Sequence, residues 1–413
     1  MNQEKGNCRF CHSPLDQSFC NLGMTPLSNS YLSQSELEKG EMFYPLHAYV
    51  CRRCFLVQVK EYELPENIFG DYAYFSSYSD TWLQHCREYA ENISSRLHLD
   101  SSTQVIEIAS NDGYLLQFFK KRHIPILGIE PANNVAKVAQ EKGIPTRVRF
   151  FNSQLAEELK KEKIQADLLI GNNVLAHVPG LNDFIKGMKT LLKSSGVITM
   201  EFPHLLRLME SNQFDTIYHE HFSYFSLLTV EKIFAAQGLK IFDVDELLTH
   251  GGSLRIYVCH LEDQKKTISP NVLRIQDAEL KLQLNHLKGY KQFAIGVQQL
   301  KSDLLQFFLE CKNQGKKIAG YGAPAKGNTL LNFCGIRSEF LDFTVDRSPH
   351  KQGRYLPGTH IPIKSVDLIK ETKPDYLFIL PWNLKEEIIK QMGYIRTWGG
   401  KFVVPIPKLE IIS

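Results

Sequence analysis

VIEIASNDGYLLQFF, at residues 105–119, is the stretch that decides the fold. The apolar run Val105–Ile108 is typical of a buried strand, residues 110–113 indicate a polar turn, and residues 114–119 follow a helical pattern. Strand, turn and helix in this order are the unit of a parallel α/β sheet, in which ligands bind at the carboxyl ends of the strands. The stretch therefore predicts a doubly wound sheet with a binding edge at its first turn.

Three more apolar runs continue this alternation of strands and helices. They lie at residues 126–130, 166–170 and 196–201, with helical patterns between them. We therefore expect one parallel sheet in the middle of the chain.

The last third of the chain repeats the pattern. Residues 317–330 indicate a strand, a loop of glycine and other small residues, and a helix, and further strands are predicted at 343–346 and 375–380. Such a loop at the start of a helix suits a phosphate or a sugar. A second Rossmann-like unit is therefore predicted, joined to the first by mostly helical residues 263–315.

Size and composition restrict the class of protein. The chain has 413 residues, which suggests two or three domains, because a single core rarely grows to this size. Its 48 lysines and arginines leave a net charge of only +3, so electrostatics favour neither a nucleic-acid nor a membrane partner. The N-terminus lacks a signal-peptide pattern, and no apolar stretch is long enough to span a bilayer. We expect a cytoplasmic protein whose nine cysteines are metal ligands or buried thiols rather than disulfides.

Two C-x-x-C pairs, separated by 39 residues, supply four thiolates: Cys8, Cys11, Cys51 and Cys54. Two such turns complete a tetrahedron around zinc and leave no open coordination position, so the predicted zinc is structural. Cys20 and His12 are spare candidates without a partner at the same spacing. Two other interpretations stay open: four unliganded buried cysteines, or a zinc ribbon that binds nucleic acid, for which Arg52 and Arg53 are thin support.

The first turn of the central sheet has residues suited to a nucleoside ligand. Gly113 permits a close approach to the backbone, and Asn111 lies in the same turn. Glu130 ends the next strand, where an acid accepts hydrogen bonds from both hydroxyls of a ribose. A dinucleotide fold would favour G-x-G-x-x-G, whereas a single glycine suits S-adenosylmethionine, which has no pyrophosphate. An α/β fold for another nucleotide remains open from these residues alone.

Six further motifs follow the cysteine pairs in one order. They are YAYFSSYSDTW (72–82), VIEIASNDGYLL (105–116), NNVLAHV (172–178), YHEHFSYFS (218–226), HGGSLRIY (250–257) and GYGAPAKGNTLLN (320–332). Together the seven closely resemble the bacterial nucleotide-sugar C-methyltransferases, which make branched-chain deoxysugars such as tetronitrose and mycarose. The resemblance covers nearly the whole chain.

The resemblance implies both an architecture and a reaction. The architecture is a small zinc-binding domain at 1–70, a central Rossmann-like domain for S-adenosylmethionine at 71–300, and a Rossmann-like domain for the nucleotide sugar at 301–413. The implied reaction is transfer of a methyl group to C3 of a 4-keto deoxysugar, usually carried on dTDP. The resemblance also implies that the protein is a monomer.

Methylation at carbon needs a carbanion equivalent, because neutral carbon is a poor nucleophile. A ketone at C4 acidifies the C3 proton, a base removes it, and the resulting enolate attacks the methyl group. His221 is the predicted base, from the ordinary pKa of histidine and from the resemblance. Glu220 is the alternative base or an orienting group, and Tyr218 a hydrogen-bond donor or proton relay. The motif match adds His177 and Tyr72 to the active site.

Binding roles follow from the same motifs. The predicted cofactor residues are Glu107, Ser110, Asn111, Gly113, Glu130 and Asn173. The predicted nucleotide-sugar contacts are Tyr321, Lys326, Asn328 and Arg255. Arg255 could equally be a surface arginine, and Ser77 and Trp82 either approach the cofactor or cap and pack a helix. His219 has no predicted role beyond that of a loop residue.

Three other functions remain as alternatives at this point. A sugar O-methyltransferase needs a base but no polarised ketone, and its product keeps the C3 proton. A zinc-ribbon nucleic-acid binder would show salt-dependent binding, which the near-neutral charge disfavours. An inactive nucleotide-sugar-binding relative would not need Tyr218, Glu220 and His221, all of which are present.

Overall fold

The computed structural model describes residues 6–63, 76–78 and 80–413. Within these ranges the chain folds into three β-sheets, of four, seven and six strands. The α/β class predicted from the alternating pattern is confirmed. Tyr72 lies outside the described residues.

The four-stranded sheet is antiparallel and carries the cysteine pairs. Three of its strands come from the start of the chain: β1 (Gln17–Thr25), β2 (Tyr44–Val50) and β3 (Val57–Val59). The second C-x-x-C pair forms the turn between β2 and β3. The fourth strand, β9 in chain order, is Ser223–Tyr224, which pairs with β3 through Val57 and Gln58. A segment from the middle of the chain thus completes the N-terminal sheet.

The seven-stranded sheet contains β4 to β8, β10 and β11: Val105–Ile108, Ile126–Ile129, Thr146–Arg147, Ala166–Asn172, Leu192–Pro203, Leu239–Leu247 and Ser253–His260. Their order across the sheet is β10-β11-β8-β7-β4-β5-β6, and β11 is antiparallel to both of its neighbours. Strand β4 is buried along its whole length, as expected for a parallel sheet that is covered on both faces. Because the chain reverses direction across the sheet between β4 and β7, their carboxyl ends form the crevice in which ligands bind.

Helices α1 to α7 belong to this part of the chain: Asp80–Leu97, Leu116–Lys120, Asn133–Glu141, Ser153–Lys161, Leu181–Leu191, Leu205–Glu210 and Leu227–Ala236. Adjacent residues of a strand face opposite sides of a sheet. Accordingly Val105 joins an apolar core with residues of α1 and α2, whereas Ile106 joins another with residues of α4, α5 and α7. Two helical layers therefore cover the central sheet.

Two helices connect the central and C-terminal sheets, as the sequence predicted for residues 263–315. They are α8 (Pro270–Lys281) and α9 (Leu287–Asn313). On α9, Phe293 stacks on Phe19 of β1 with the ring centroids 4.7 Å apart. The domain limit predicted at residue 300 falls inside α9, and the three-domain division stays a prediction. No helix in the described part of the chain has the length and hydropathy that a bilayer crossing requires.

The six-stranded sheet contains β12 to β17: Ile318–Tyr321, Thr344–Val345, Ile363–Lys364, Tyr376–Ile379, Lys401–Val404 and Glu410–Ile412. Its order is β14-β13-β12-β15-β16-β17, with only β17 antiparallel to its neighbour. The turn after β12 leads into helix α10 (Ala325–Cys334). In this turn Gly322 has φ +88°, and a Cβ there would lie 2.6 Å from Pro381 Cδ, so only glycine fits.

Substitution of Phe222, which directly precedes β9, tests how much the attachment of this segment to β3 contributes to the stability of the protein. Its side chain is 1% exposed, and the Arg9 guanidinium lies 5.3 Å from its ring centroid. Phe222→Ala is expected to lower the free energy of unfolding by about 3–5 kcal/mol, because it leaves a cavity between the two parts of the chain. Urea denaturation measures the change. Leu248→Ala, at a side chain 99% exposed, is the control and should change the value by less than about 0.5 kcal/mol.

Candidate active site and metal centre

The four cysteines of the two C-x-x-C pairs come together. All four Sγ atoms of Cys8, Cys11, Cys51 and Cys54 lie within 4.8 Å of one another. The Gln58 side-chain amide donates to Cys8 Sγ at 3.1 Å, and the Arg53 backbone N–H lies 3.4 Å from Cys51 Sγ. N–H groups directed at sulfur stabilise thiolates, so this set fits zinc held by four sulfurs. The spare candidates Cys20 and His12 are not part of the cluster.

The segment that carries the proposed base begins at a short 3₁₀ helix, Phe214–Thr216, and ends at β9. The Phe222 backbone N–H donates to Ala176 O at 2.7 Å, and the Phe222 carbonyl accepts from Val59 N at 3.1 Å. We call residues 214–222 the catalytic loop. It is held between strand β3 and the segment that follows β7.

Within the catalytic loop, His221 is held in a single tautomer. Its Nδ1–H donates to the Thr216 carbonyl at 2.8 Å, which leaves the lone pair on Nε2. The Tyr218 hydroxyl lies 2.9 Å from that Nε2 and donates to it. The pair therefore has a basic nitrogen and a hydroxyl through which a proton can pass.

His177 lies against His221, with the ring centroids 4.8 Å apart. The Nδ1–H of His177 donates to the Glu220 carbonyl at 2.7 Å. Burial lowers the pKa of His177 to about 4. Burial also lowers the pKa of His221 well below its ordinary value, and the nearby His177, His250 and Lys326 add to the effect. Both imidazoles are therefore neutral near pH 7, which is the state that a base requires.

The Glu220 carboxylate is hydrogen-bonded to the N-terminal part of the chain. Its Oε1 accepts a hydrogen bond from Asn29 Nδ2 at 2.6 Å, and Asn29 belongs to the segment after β1. Burial raises the pKa of Glu220 to about 7, and the Asn29 amide opposes that shift. Glu220 therefore exchanges a proton near neutral pH, and it also ties the catalytic loop to the N-terminal part of the chain.

Lys326, at the start of α10, brings a cation to the same place. Its ammonium lies 4.8 Å from the Trp382 ring centroid and donates to Asn383 Oδ1 at 2.8 Å. Trp382 Nε1–H donates to Asp215 Oδ2 at 2.7 Å. Burial raises the pKa of Asp215 to about 6, and the charge of Lys326 opposes the shift. Sequence analysis missed Asp215 and Trp382, because a contact between positions 167 residues apart leaves no local pattern.

The other predicted nucleotide-sugar contacts have protein partners of their own. The Tyr321 hydroxyl donates to Gln391 at 3.1 Å, and the Asn328 amide donates to Ser28 O at 2.5 Å. Arg255 is buried on β11 and donates to Glu201 at 2.6 Å, so it is not the surface arginine that was one alternative. Of these four residues, Lys326 is the one whose charge acts to lower the pKa values of His221 and His250.

The predicted cofactor residues line the carboxyl edge of the central sheet. Glu130 accepts from the backbone N–H groups of Asn111 and Ala132, each at 2.9 Å, and so shapes the first turn. Glu107 is fully buried on β4, which raises its pKa well above the ordinary value. Gly113 has φ +77°, and a Cβ there would lie 2.2 Å from Ile144 Cδ1, so this position needs glycine.

Several buried polar atoms at this edge have no protein partner within the described ranges. They are Ser110 Oγ, both side-chain amide atoms of Asn172, and Asn173 Oδ1. Buried polar groups are nearly always hydrogen-bonded in a working protein. Since they follow β4 and β7, where ligands bind in such sheets, they fit a polar nucleoside such as that of S-adenosylmethionine.

Ser77 and Trp82, for which the sequence left two roles open, also have defined contacts. The Ser77 hydroxyl donates to Asp112, and the Trp82 ring stacks on His85 with centroids 5.0 Å apart. Trp82 also lies 5.6 Å from the His250 ring. His219 Nε2 donates to Pro45 O at 3.3 Å, so it anchors the catalytic loop to β2.

The doubly wound sheet and its polar edge define an S-adenosylmethionine-dependent methyltransferase, and residues 81–244 match the family described as "Methyltransferase domain". Residues 8–69 match "Putative zinc binding domain", and residues 248–407 match "C-methyltransferase C-terminal domain". The C-methyltransferase NovU of Streptomyces niveus is 34% identical over 406 residues, which cover 98% of this chain and 96% of that protein. The chain therefore belongs to the C-methyltransferase family, uses S-adenosylmethionine and carries a zinc ion.

Two solved structures are also similar to part of this chain. An S-adenosylmethionine-dependent methyltransferase from Clostridium acetobutylicum is 11% identical, covering 43% of this chain and 92% of its own, with a TM-score of 0.35. The magnesium protoporphyrin IX methyltransferase of Synechocystis with bound SAH is 14% identical, covering 43% and 83%, with a TM-score of 0.35.

Zinc removal is expected to loosen the catalytic loop and leave the cofactor edge intact, because the metal supports the sheet that contains β3 and β9. In Cys51→Ser, amide hydrogen exchange should become faster at residues 214–226 but not at residues 105–130. The matched control is His12→Asn, which keeps all four thiolates and should retain about one zinc per chain. Unchanged exchange at residues 214–226 in metal-free protein would contradict this coupling.

Proposed function

We propose that the protein transfers a methyl group to C3 of a 4-keto deoxysugar carried on a nucleoside diphosphate, with dTDP as the expected carrier, through an enolate. The observation that carries this proposal is the Tyr218–His221 pair, whose basic Nε2 is presented by the bond from Nδ1 to Thr216. A neutral imidazole nitrogen beside a hydroxyl suits removal of a proton next to a ketone. S-adenosylmethionine supplies an electrophilic methyl group when bound.

In the proposed reaction, the C3 proton passes to Nε2 of His221. Because the Tyr218 hydroxyl already donates to that nitrogen, the proton moves directly if the substrate displaces Tyr218, and otherwise through the hydroxyl. In the second route, the phenol oxygen takes the substrate proton as it gives its own to His221. The Thr216 carbonyl stabilises the imidazolium that results, since Nδ1–H points at it.

Lys326 supports the choice of a diphosphate-bearing substrate. Its ammonium adds to the effect of burial in lowering the pKa of His221, and burial lowers the pKa of Lys326 itself. A bound diphosphate beside Lys326 would cancel part of that positive potential and raise the pKa of His221 toward working pH. Substrate binding would thereby strengthen the base, which favours proton removal only in the occupied site.

We assign the cofactor to the carboxyl edge of the central sheet. The polar atoms of Ser110, Asn172 and Asn173 that have no partner within the described ranges support this assignment. Gly113 supports it as well, because a residue without a side chain lets a ligand come close to the backbone. Glu130 has a carboxylate at the position where an acid holds a ribose, although backbone N–H groups also use both of its oxygens. Glu107 and Asn111 complete the proposed set.

The first prediction concerns the product. The zinc-loaded protein is incubated in heavy water with S-adenosylmethionine and dTDP-4-keto-6-deoxyglucose or its 2-deoxy analogue. We expect a product heavier by one methylene unit in which the C3 proton is absent, measured by mass spectrometry and proton NMR. A methylated product that keeps that proton would show O-methylation instead and would overturn the proposed function.

The second prediction concerns the base. His221→Asn retains a donor toward Thr216 but removes Nε2, and it is expected to lower kcat by about 10²–10⁴-fold. Tyr218→Phe should also lower kcat, by less if the substrate reaches Nε2 directly. His219→Gln is the matched control in the same loop, since it keeps a donor toward Pro45 O. Near-normal turnover in both folded variants would rule out the Tyr218–His221 assignment.

The pH profile separates His221 from Glu220 as the proton acceptor. A base must be deprotonated, so kcat/KM falls as pH falls through the pKa of the base. Glu220, with a pKa of about 7, would place this acidic limb near neutrality, and Glu220→Gln would abolish it. His221, whose pKa is lowered, places the limb well below pH 7, and Glu220→Gln would then leave the limb in position.

A further inference from the structure

The turn between β10 and β11 holds a histidine that the proposed mechanism does not use. It lies at the carboxyl edge of the central sheet, because β10 runs parallel to the inner strands and β11 returns from that edge. His250 in this turn has φ 55° and ψ 21°, in the left-handed region that non-glycine residues seldom adopt. Such strain persists only where the surroundings hold it, and it is concentrated at functional sites.

The turn is anchored on both sides of His250. On one side, the Thr249 hydroxyl donates to Glu201 Oε1 at 3.0 Å. On the other, Gln213 Nε2 donates to Gly251 O at 2.7 Å, and a Cβ on Gly251 would lie 2.6 Å from the Trp382 ring. The position of His250 is therefore set by contacts to the central sheet, to the start of the catalytic loop and to the C-terminal sheet.

The anchor at Glu201 is itself rigid. Its side chain is fully buried on β8, where Arg255 donates to Oε2 at 2.6 Å and His85 lies 3.1 Å from the same oxygen. Burial opposes its ionisation, but the bonds from His85 and Arg255 hold the pKa of Glu201 at about 2. A permanent carboxylate thus fixes Thr249, and this gives the buried Arg255 a role in positioning the turn.

The His250 ring lies at the cofactor edge, and the next residue, Gly251, is bonded to Gln213 directly before the catalytic loop. Its Nε2 is 3.1 Å from Asn173 Nδ2, and its ring is 5.6 Å from that of Trp82. Solvent reaches the side chain although protein surrounds it on the other sides, as expected for a residue that lines a cleft.

These contacts define what the imidazole offers a ligand. An amide nitrogen only donates, so Nε2 of His250 accepts from Asn173 and the ring hydrogen lies on Nδ1. Among the hydrogen bonds of the described residues, none occupies that Nδ1–H. A fixed N–H donor that is exposed at the ligand-binding edge of the sheet is suited to stabilise an oxygen that gains negative charge during reaction.

We propose that His250 is a further catalytic residue, whose Nδ1–H donates to the C4 oxygen of the sugar as the enolate forms. This inference rests on the proposed function and assigns a donor that the function requires. The proton from C3 goes to His221, the electron pair of the C–H bond forms the C3–C4 double bond, the π pair of the carbonyl moves to the oxygen, and His250 keeps its own proton. The contact of His250 with Asn173, a proposed cofactor residue, and the bond from Gln213, directly before the catalytic loop, to Gly251 place this donor near both the methyl donor and the base.

The test measures enolate formation apart from methyl transfer. Exchange of the C3 proton of dTDP-4-keto-6-deoxyglucose is followed by proton NMR in heavy water, with S-adenosylhomocysteine present so that no methyl group is available. His250→Leu is expected to exchange about 100-fold more slowly than the natural chain. His250→Asn, whose amide reaches the position of Nδ1, should recover much of the rate, whereas His250→Gln, whose amide reaches the position of Nε2, should not.

Controls separate the possible outcomes. Leu248→Ala, two residues away and exposed, should exchange at the natural rate. Exchange at the natural rate in folded His250→Leu, or equal rates in the Asn and Gln variants, would overturn the role of His250 while the proposed function stands. Normal exchange together with weaker S-adenosylhomocysteine binding in calorimetry would make His250 a cofactor contact and would also overturn it. A natural chain that neither exchanges nor methylates C3 would instead contradict the proposed function.

Discussion

The pairing of Ser223–Tyr224 with Val57 and Gln58 is the contact on which the arrangement of the active site depends. Two residues of strand are too few to be stable alone, so β9 exists only because β3 offers an edge for it. The zinc site holds the turn that leads into β3, and the catalytic loop ends at β9. The metal site is therefore connected to the proposed chemistry through the ladder between β3 and β9, and its cysteines also share an apolar core with the central sheet.

Three neutral imidazoles around one buried ammonium give the cleft a distinct electrostatic character. Burial keeps the pKa values of His177 and His221 below their ordinary range, and the charge of Lys326 adds to the effect at His221, so the cationic forms are disfavoured. Asp215 offsets the charge of Lys326, but burial raises the pKa of Asp215, as it does that of Glu220. The cleft is thus complementary to an anion, and a neutral ligand of the same shape would lack the compensation that a diphosphate provides.

Four strands of the central sheet, β4, β5, β7 and β8, could be predicted from the sequence, because each is signalled by a local apolar run, whereas β6, β10 and the antiparallel β11 were not predicted. Val105–Ile108 forms β4 as expected, and the doubled C-x-x-C brings its four sulfurs together. The strand β9 could not be predicted, since two residues have no periodicity and their partner lies far away in the chain. For the same reason the sequence could not show that Trp382 holds Asp215, or that Arg255 is buried against Glu201. HGGSLRIY was one of the motifs that carry the resemblance, but it did not indicate the strained backbone of His250.

The bond from Trp382 to Asp215 has a consequence for how such enzymes could acquire new substrates. The C-terminal sheet carries the residues proposed to hold the nucleotide, so exchange of this part between relatives is an obvious route to a new specificity. Yet the same part supplies the indole that orients the start of the catalytic loop and supports Gly251. A recombined gene would therefore need a matching tryptophan at this joint, so the recognition half and the reaction half of the enzyme must be inherited together or adjusted as a pair.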